Sequence, residues 1–286
     1  MWPRKVLAGT GLINVSQMKI FDGSKPIDAA AVRFFKQNGY LMLRNAVQGC
    51  KAARDAVAEL LLSSELSADK AELTIPDRFQ SMNCDNNQAQ TIISADLMSK
   101  QDWISANKAL SSYLNHADLY RIFLSLFTEL YADIALVETL PFKWLRAVGT
   151  GLFTGLHCDR VYVGNIAPCI LTAWIPLGNI TTELGSLIVC PGSHKNQTWK
   201  EIREEYSSGT AGKDGTTSGW LTTNPLEIES QVCRKSGRFN EQNLTWVSAD
   251  FQEGDICIID VDVMHITATN LTNTWRLSCD TRWVAL

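Results

Sequence analysis

Histidine is scarce in this chain, with four in 286 residues, so few combinations of histidines could form a metal site. None of its eight cysteines forms a C-x-x-C pair, and zinc-ribbon and thioredoxin-like sites therefore find no support. Lysine plus arginine total 26 against 30 for aspartate plus glutamate, so the basic excess typical of nucleic-acid-binding proteins is missing. These absences exclude the commonest cysteine sites and disfavour a nucleic-acid partner.

Long apolar runs are missing as well. No run approaches the roughly 20 residues that a transmembrane helix needs, and the two basic residues near the N-terminus are not followed by the apolar stretch of a signal peptide. The cysteines are scattered through apolar segments, as is typical of buried thiols in a reducing compartment. We therefore expect a cytoplasmic protein without a membrane partner.

The pattern of the chain changes near residue 134. Residues 28–132 show mainly helical spacing, whereas 134–286 contain short apolar segments typical of strands. Helices first and strands later favour one α+β domain over residues 1–286, with a mainly β core. The polar stretch 195–248 predicts either a lid over a site or a surface insertion.

In the strand-rich part, His157 and Asp159 are separated by one residue. Residues i and i+2 of an extended backbone project from the same face, so both could reach one metal from a strand end. If 256–265 is one regular strand, His265 ends its buried face and could supply the third ligand. Two histidines and one carboxylate on one side of a metal are typical of non-haem iron(II) oxygenases. The alternative is that both histidines are ordinary core or loop residues.

Further charged residues accompany this constellation. Arg276 shares a strand face with Asp280 and Arg282, which fits a pocket for charged small molecules better than a dry core. A guanidinium suits a carboxylate co-substrate, although a structural salt bridge with Asp280 is the alternative for Arg276. Lys143 and Arg146 precede the site and could contact an anionic substrate, or could simply be solvated charges.

Three more segments carry a family resemblance. Residues 34–43 read Phe-Phe-Lys-Gln-Asn-Gly-Tyr-Leu-Met-Leu, and residues 174–195 contain Trp-Ile-Pro-Leu, Glu-Leu-Gly-Ser-Leu and Pro-Gly-Ser-His-Lys. Arg276 follows His265 by eleven residues. From about residue 30 to 284 the chain thus resembles the phytanoyl-CoA dioxygenase family of Fe(II)/2-oxoglutarate-dependent oxygenases.

The resemblance implies a double-stranded β-helix, a jelly-roll barrel, flanked by N-terminal helices. It implies that iron(II) is bound by His157, Asp159 and His265, and 2-oxoglutarate by Arg276. Thr267 is a second co-substrate contact or a plain strand threonine, and Trp174 lines the pocket or packs in the core.

Three other residues are expected to lie outside the metal site. We expect His194 and His116 to have structural roles, because His194 follows a Pro-Gly-Ser turn and His116 lies at a helix end. Cys158 should point away from its two neighbours if the segment is extended.

The activity implied is oxidation of an unactivated C–H bond of a small-molecule metabolite, by hydroxylation or by oxidative cyclisation or desaturation, in specialised metabolism. It needs iron(II), 2-oxoglutarate and O2, with ascorbate supporting activity, and the carboxylate of Asp159 favours this chemistry over halogenation. The alternatives are an acyl-CoA hydroxylase, a non-catalytic barrel that binds metal or metabolite, and a cupin-type isomerase. The sequence indicates no oligomeric state.

Overall fold

The computed structural model describes residues 1–63, 97–131, 133–164, 169–195, 197–207, 219–236 and 244–286. The helices are α1 (Ala29–Asn38), α2 (Cys50–Ser63), α3 (Gln101–Ala106), α4 (Lys108–Leu114), α5 (Ala117–Leu130), α6 (Arg160–Val163), α7 (Gln197–Ser207) and α8 (Pro225–Ser236). The strands are β1 (Arg4–Ala8), β2 (Gly11–Gln17), β3 (Ile20–Asp22), β4 (Tyr40–Arg44), β5 (Val137–Thr139), β6 (Trp144–Val148), β7 (Ile170–Pro176), β8 (Leu187–Val189), β9 (Trp246–Ser248), β10 (Ile256–Asp260), β11 (His265–Thr267) and β12 (Arg276–Ala285). Within the described residues, no helix is long and apolar enough to cross a membrane.

The strands form two sheets. The major sheet has the order β3-β4-β10-β7-β12-β5, with β6 also paired to β12, and the minor sheet has the order β1-β2-β9-β8-β11. Side chains of β4 alternate, so Tyr40 and Met42 pack between the sheets while Leu41 and Leu43 pack against helices. Two sheets that enclose one interior, with helices outside, confirm the predicted double-stranded β-helix of an α+β domain.

Helices α1 to α5 cover the outer face of the major sheet. In α1, the Asp28 carboxylate accepts a hydrogen bond from Ala31 N at 2.7 Å. The helix ends at Gly39, where φ is 74°, a left-handed conformation that glycine adopts without strain. The indole of Trp283 on β12 stacks on Phe123 of α5, with ring centroids 4.4 Å apart. His116 caps α5 by accepting from Asp118 N, which confirms its predicted structural role.

Two further helices cover the minor sheet. Trp199 and Ile202 of α7 and Ile228 of α8 are buried against Trp246 of β9. The described part of 195–248 therefore contributes to the core. Residues 196, 208–218 and 237–243 lie outside the described residues, so the lid stays a prediction.

The prediction of one regular strand over 256–265 is wrong. Strand β10 ends in the major sheet at Asp260, and β11 begins in the minor sheet at His265. The Asp260 carboxylate accepts from Asp262 N and the Asp260 carbonyl accepts from Val263 N, both at 2.9 Å, which makes a tight turn. The turn carries the chain from one sheet to the other, and His265 still faces the interior.

A matched pair of leucines on α5 tests the packing of this helix. We expect Leu126→Ala to lower the free energy of unfolding by about 2–5 kcal/mol, because its fully buried side chain would leave a cavity. Leu124→Ala should cost less than about 1 kcal/mol, because Leu124 is 38% exposed. Urea denaturation followed by circular dichroism measures both values, and equal losses would contradict the described packing.

Candidate metal centre

The two histidines of the predicted site are adjacent. His157 N donates to His265 O at 3.0 Å and His265 N donates to His157 O at 2.9 Å, so the two residues form an antiparallel bridge at the end of the minor sheet. Their ring centroids are 4.2 Å apart. Backbone pairing therefore sets the separation of the two imidazoles.

Local hydrogen bonds orient both imidazoles. Nδ1 of His157 lies 2.7 Å from Gly155 O, and Nδ1 of His265 lies 3.0 Å from Val263 O. A ring nitrogen that faces a carbonyl carries the proton, so Nε2 of each ring is left as a lone-pair donor. Burial, together with the neighbouring His265, holds the pKa of His157 well below its usual value and favours the neutral, metal-binding form.

Asp159 completes the group. Its Oδ1 lies 3.7 Å from His157 Nε2 and 3.9 Å from His265 Nε2, and one ligand atom from each residue lies within 4.8 Å of the others. Thr172 donates to its Oδ2 at 2.6 Å and Arg282 donates to its Oδ1 at 2.8 Å. Burial opposes ionisation, but the charge of Arg282 and the hydrogen bond from Thr172 lower the pKa of Asp159 below its usual range.

Arg276 lies fully buried at the start of β12. Its Nη1 donates to Ser278 Oγ at 2.7 Å, while Nε and Nη2 have no partner among the described residues. The salt bridge with Asp280 is not formed, because Asp280 pairs with Arg146 at 3.3 Å. Burial lowers the pKa of Arg276 to about 9, and the nearby Arg146 adds to this.

A glycine makes room for this arginine. Gly185 of the Glu-Leu-Gly-Ser-Leu segment has a φ of 98°, and a Cβ there would lie 3.5 Å from Arg276 Cδ and 3.2 Å from Ala268 O. The loop before β8 therefore holds the Arg276 side chain beside the end of β11. Thr267, the last residue of β11, is buried in the barrel.

The two remaining predicted co-substrate contacts already have partners. Thr267 Oγ1 accepts from Thr154 N at 2.8 Å, and its hydroxyl hydrogen can still be donated to a ligand. The ring of Trp174 packs against Phe251 with centroids 4.7 Å apart, within the apolar part of the interior. This contact favours the core role for Trp174, and its pocket role stays a prediction.

The predicted substrate contacts divide into two groups. Arg146, Asp280 and Arg282 project from the same inner face of β6 and β12, toward the triad. Lys143 lies apart, because its ammonium donates to Thr139 Oγ1 and, at 2.7 Å, to Leu140 O in its own loop.

Sequence reasoning missed two aromatic residues at the site. The Tyr162 ring lies 5.6 Å from the His157 ring, and the Trp144 ring lies 5.4 Å from Tyr162. Trp144 could have been found, because it lies two residues before Arg146 on β6 and therefore shares its face. Tyr162 lies in the short helix α6, where no periodic pattern reveals its direction.

His194 and Cys158, like His116, lie outside the triad. Nε2 of His194 is 3.4 Å from Lys36 O, at a turn near α1. Cys158 packs in the apolar cluster on the outer face of the minor sheet, where burial raises the pKa of its thiol to about 12.

Comparison with known proteins adds independent findings. The family model "Phytanoyl-CoA dioxygenase (PhyH)" matches residues 35–278, whereas no curated protein sequence matches the chain.

Similar solved structures share the fold. The carbocyclase SnoK from nogalamycin biosynthesis, described as non-haem and α-ketoglutarate-dependent, is 15% identical, covers 93% of this chain and 87% of its own, and has a TM-score of 0.53. The epimerase SnoN from the same biosynthesis is 16% identical, with 89% and 79% covered and a TM-score of 0.51. AviO1 from Streptomyces viridochromogenes Tue57 is 16% identical, with 91% and 96% covered and a TM-score of 0.51.

Alanine substitutions test the metal centre. We expect His157→Ala and His265→Ala each to abolish the binding of one Fe(II) per chain, because each removes one of three converging donors. His194→Ala is the matched control and should bind Fe(II) as the unmodified protein does. Anaerobic equilibrium dialysis with iron analysis measures this, and full binding by either of the first two variants would overturn the ligand assignment.

Proposed function

The chain belongs to the phytanoyl-CoA dioxygenase family and is an Fe(II)/2-oxoglutarate-dependent oxygenase, and we propose that it oxidises a C–H bond of a small organic molecule. The observation that carries this proposal is the set of three donors inside the barrel. His157 and His265 present Nε2 atoms, and Asp159 presents Oδ1, at one point. Two imidazoles and a carboxylate fit iron(II).

These three side chains would hold the iron, which, when bound, supplies with 2-oxoglutarate and O2 the oxidising power for C–H cleavage. The protein contributes orientation to this chemistry. Gly155 O and Val263 O fix the two imidazole tautomers, and Thr172 holds the second oxygen of Asp159. Such outer contacts keep the ligands in position before the metal arrives.

Arg276 is our candidate for binding the distal carboxylate of 2-oxoglutarate. Its two unpartnered nitrogens, Nε and Nη2, lie on one edge of the guanidinium and form a fork that matches the two oxygens of a carboxylate. A carboxylate there would supply the anion that the buried charge lacks, and the Thr267 hydroxyl could donate a further hydrogen bond.

The interior also restricts where a substrate can lie. On the β4 and β10 side it is filled by apolar side chains such as Tyr40, Met42 and Ile259. The polar side, lined by β6 and β12, is the one that borders the triad. The position of the substrate there would decide between hydroxylation, cyclisation and desaturation. The fold does not decide, since an epimerase and a carbocyclase share it.

Conversion of 2-oxoglutarate to succinate tests the proposed activity. Purified protein with Fe(II), ascorbate, O2 and a panel of small metabolites, acyl-CoA thioesters among them, should form succinate, and oxidised product should be found by mass spectrometry. His265→Ala should form none, because it lacks an iron ligand. Iron binding without succinate under any condition would favour a non-catalytic metal-binding barrel.

Substitution of Arg276 tests co-substrate binding. We expect Arg276→Ala to raise the dissociation constant of 2-oxoglutarate roughly 100-fold, because two hydrogen bonds to a charged group are lost. Arg276→Lys should have a smaller effect, since an ammonium keeps the charge but not the fork. Isothermal titration calorimetry on the Fe(II)-loaded, anaerobic protein measures both, with Arg121→Ala on the surface of α5 as control. An unchanged affinity would return Arg276 to a structural role.

A further inference from the structure

A second buried arginine faces the metal centre, and we propose that Arg282, together with Arg146 and Trp144, forms a subsite for a carboxylate group of the substrate. The substrate class is therefore a small organic acid that carries one negative charge beyond the co-substrate. This inference rests on the proposed function, because it names the kind of molecule that the same site oxidises.

The hydrogen bonds of Arg282 are incomplete. Its side chain is 3% exposed, and Nη2 donates to Asp159 Oδ1 at 2.8 Å. Nε and Nη1 have no partner among the described residues. Buried guanidinium donors normally have partners, because desolvated and unpaired groups destabilise the fold. The open donors of Arg282 therefore indicate a place for an anion.

Arg146 and Arg282 both lie near the indole ring of Trp144. The Cζ atom of Arg282 is 5.8 Å from the Trp144 ring centroid, and that of Arg146 is 5.7 Å from it. Arg146 donates from Nε to Asp280 Oδ2 at 3.3 Å, and within the described part of the chain its terminal nitrogens make no further hydrogen bond. Both guanidinium groups thus lie within cation–π distance of the same indole ring.

This subsite adjoins the iron ligands. Trp144 contacts Tyr162, which in turn contacts His157, so an aromatic wall runs from the two arginines to the triad. Burial raises the pKa of Tyr162 to about 12, so its phenol is neutral and can donate a hydrogen bond. An acid anchored by the arginines would have its apolar body along this wall, next to the oxidising centre.

Charge balance favours an anionic substrate. We call the polar side of the interior, bordered by β6, β12 and the triad, the chamber. Among the described residues its charged side chains are Arg146, Arg276, Arg282, Asp159 and Asp280. Together they leave one formal positive charge when the two histidines are neutral. Iron(II) adds two positive charges and the 2-oxoglutarate dianion removes two, so one positive charge remains. Water could satisfy the N–H groups, whereas a carboxylate would also neutralise this charge, which is costly to bury.

The subsite is distinct from that of the co-substrate. Arg276 offers its own open fork beside Gly185, at the other end of the polar strip on β12. Arg282 is fixed by Asp159, six residues further along the strand. Two separate anion sites on one strand suit a reaction in which two carboxylates are bound at once.

Matched acids and amides test the subsite without turnover. The probes are benzoate, phenylacetate and 3-phenylpropanoate, each against its primary amide, with protein that is loaded with Fe(II) and saturating 2-oxoglutarate under anaerobic conditions. Equilibrium dialysis should show at least one acid binding roughly tenfold or more tightly than its amide, because hydrogen bonds to a charged group are the stronger ones.

Variants then locate the preference. Arg146→Gln should remove most of the preference for the acid, and its Fe(II) affinity is measured in parallel, because the charge of Arg146 acts on His157. Arg282→Gln should have the same effect on probe binding, with its Fe(II) affinity measured in parallel because it contacts Asp159. Arg121→Gln, on the surface of α5, is the control and should keep the preference.

Three results would overturn the subsite: no acid that binds below about 10 mM, equal binding of acid and amide, or an acid that binds only when 2-oxoglutarate is absent and so occupies the co-substrate position. These outcomes are separate from the test of the proposed function. Succinate formation without a preference for acids overturns the subsite alone, and a preference for acids without succinate overturns the oxygenase activity alone.

Discussion

The buried carboxylate of Asp159 is the interaction on which the rest of the site depends. It lies between the sheets, facing His157 and His265 at the end of the minor sheet, and is held by Thr172 and Arg282 of the major sheet. A buried carboxylate without partners would be protonated or would destabilise the fold. Thr172 and Arg282 keep it ionised, and in doing so they tie it to the major sheet at the position where a metal would bind.

The barrel interior is divided because this carboxylate needs polar neighbours. On the β4 and β10 side, alternate residues are apolar and pack as an ordinary core. On the β6 and β12 side, Arg146, Arg276, Asp280 and Arg282 are charged, and each unsatisfied donor costs about 1–3 kcal/mol. The helices compensate on the outer faces, where clusters around Phe123 and Trp246 bury aromatic side chains. The fold thus combines two apolar outer cores with a polar chamber whose unpartnered arginine donors can bind ligands.

Much of this arrangement follows from short-range patterns. The His-x-Asp spacing and the shared face of Arg276, Asp280 and Arg282 on β12 are local features, and the structure brings each set together as the residues predicted. The break between β10 and β11 was missed, although Asp260 followed by Asp262 is a turn signal. The strands β1 and β2 were also missed, although Val6, Ile13 and Val15 alternate with exposed residues.

The pairing of strands that are distant in sequence sets the partners of the charged residues, which local patterns could not predict. A salt bridge with Asp280 was the alternative role for Arg276 because both lie on one strand, yet β6 brings Arg146 opposite Ser278 and within reach of Asp280. That pairing changes the role of every charge in the chamber. With Asp280 bound to Arg146 and Asp159 bound to Arg282, Arg276 is left without a carboxylate partner among the residues that the structure describes. The arginine without an anion offers the complete fork that a co-substrate carboxylate needs, whereas the two that already have partial partners can hold a second, more weakly charged molecule. The pairing of strands, which no single segment reveals, therefore decides which arginine serves which ligand.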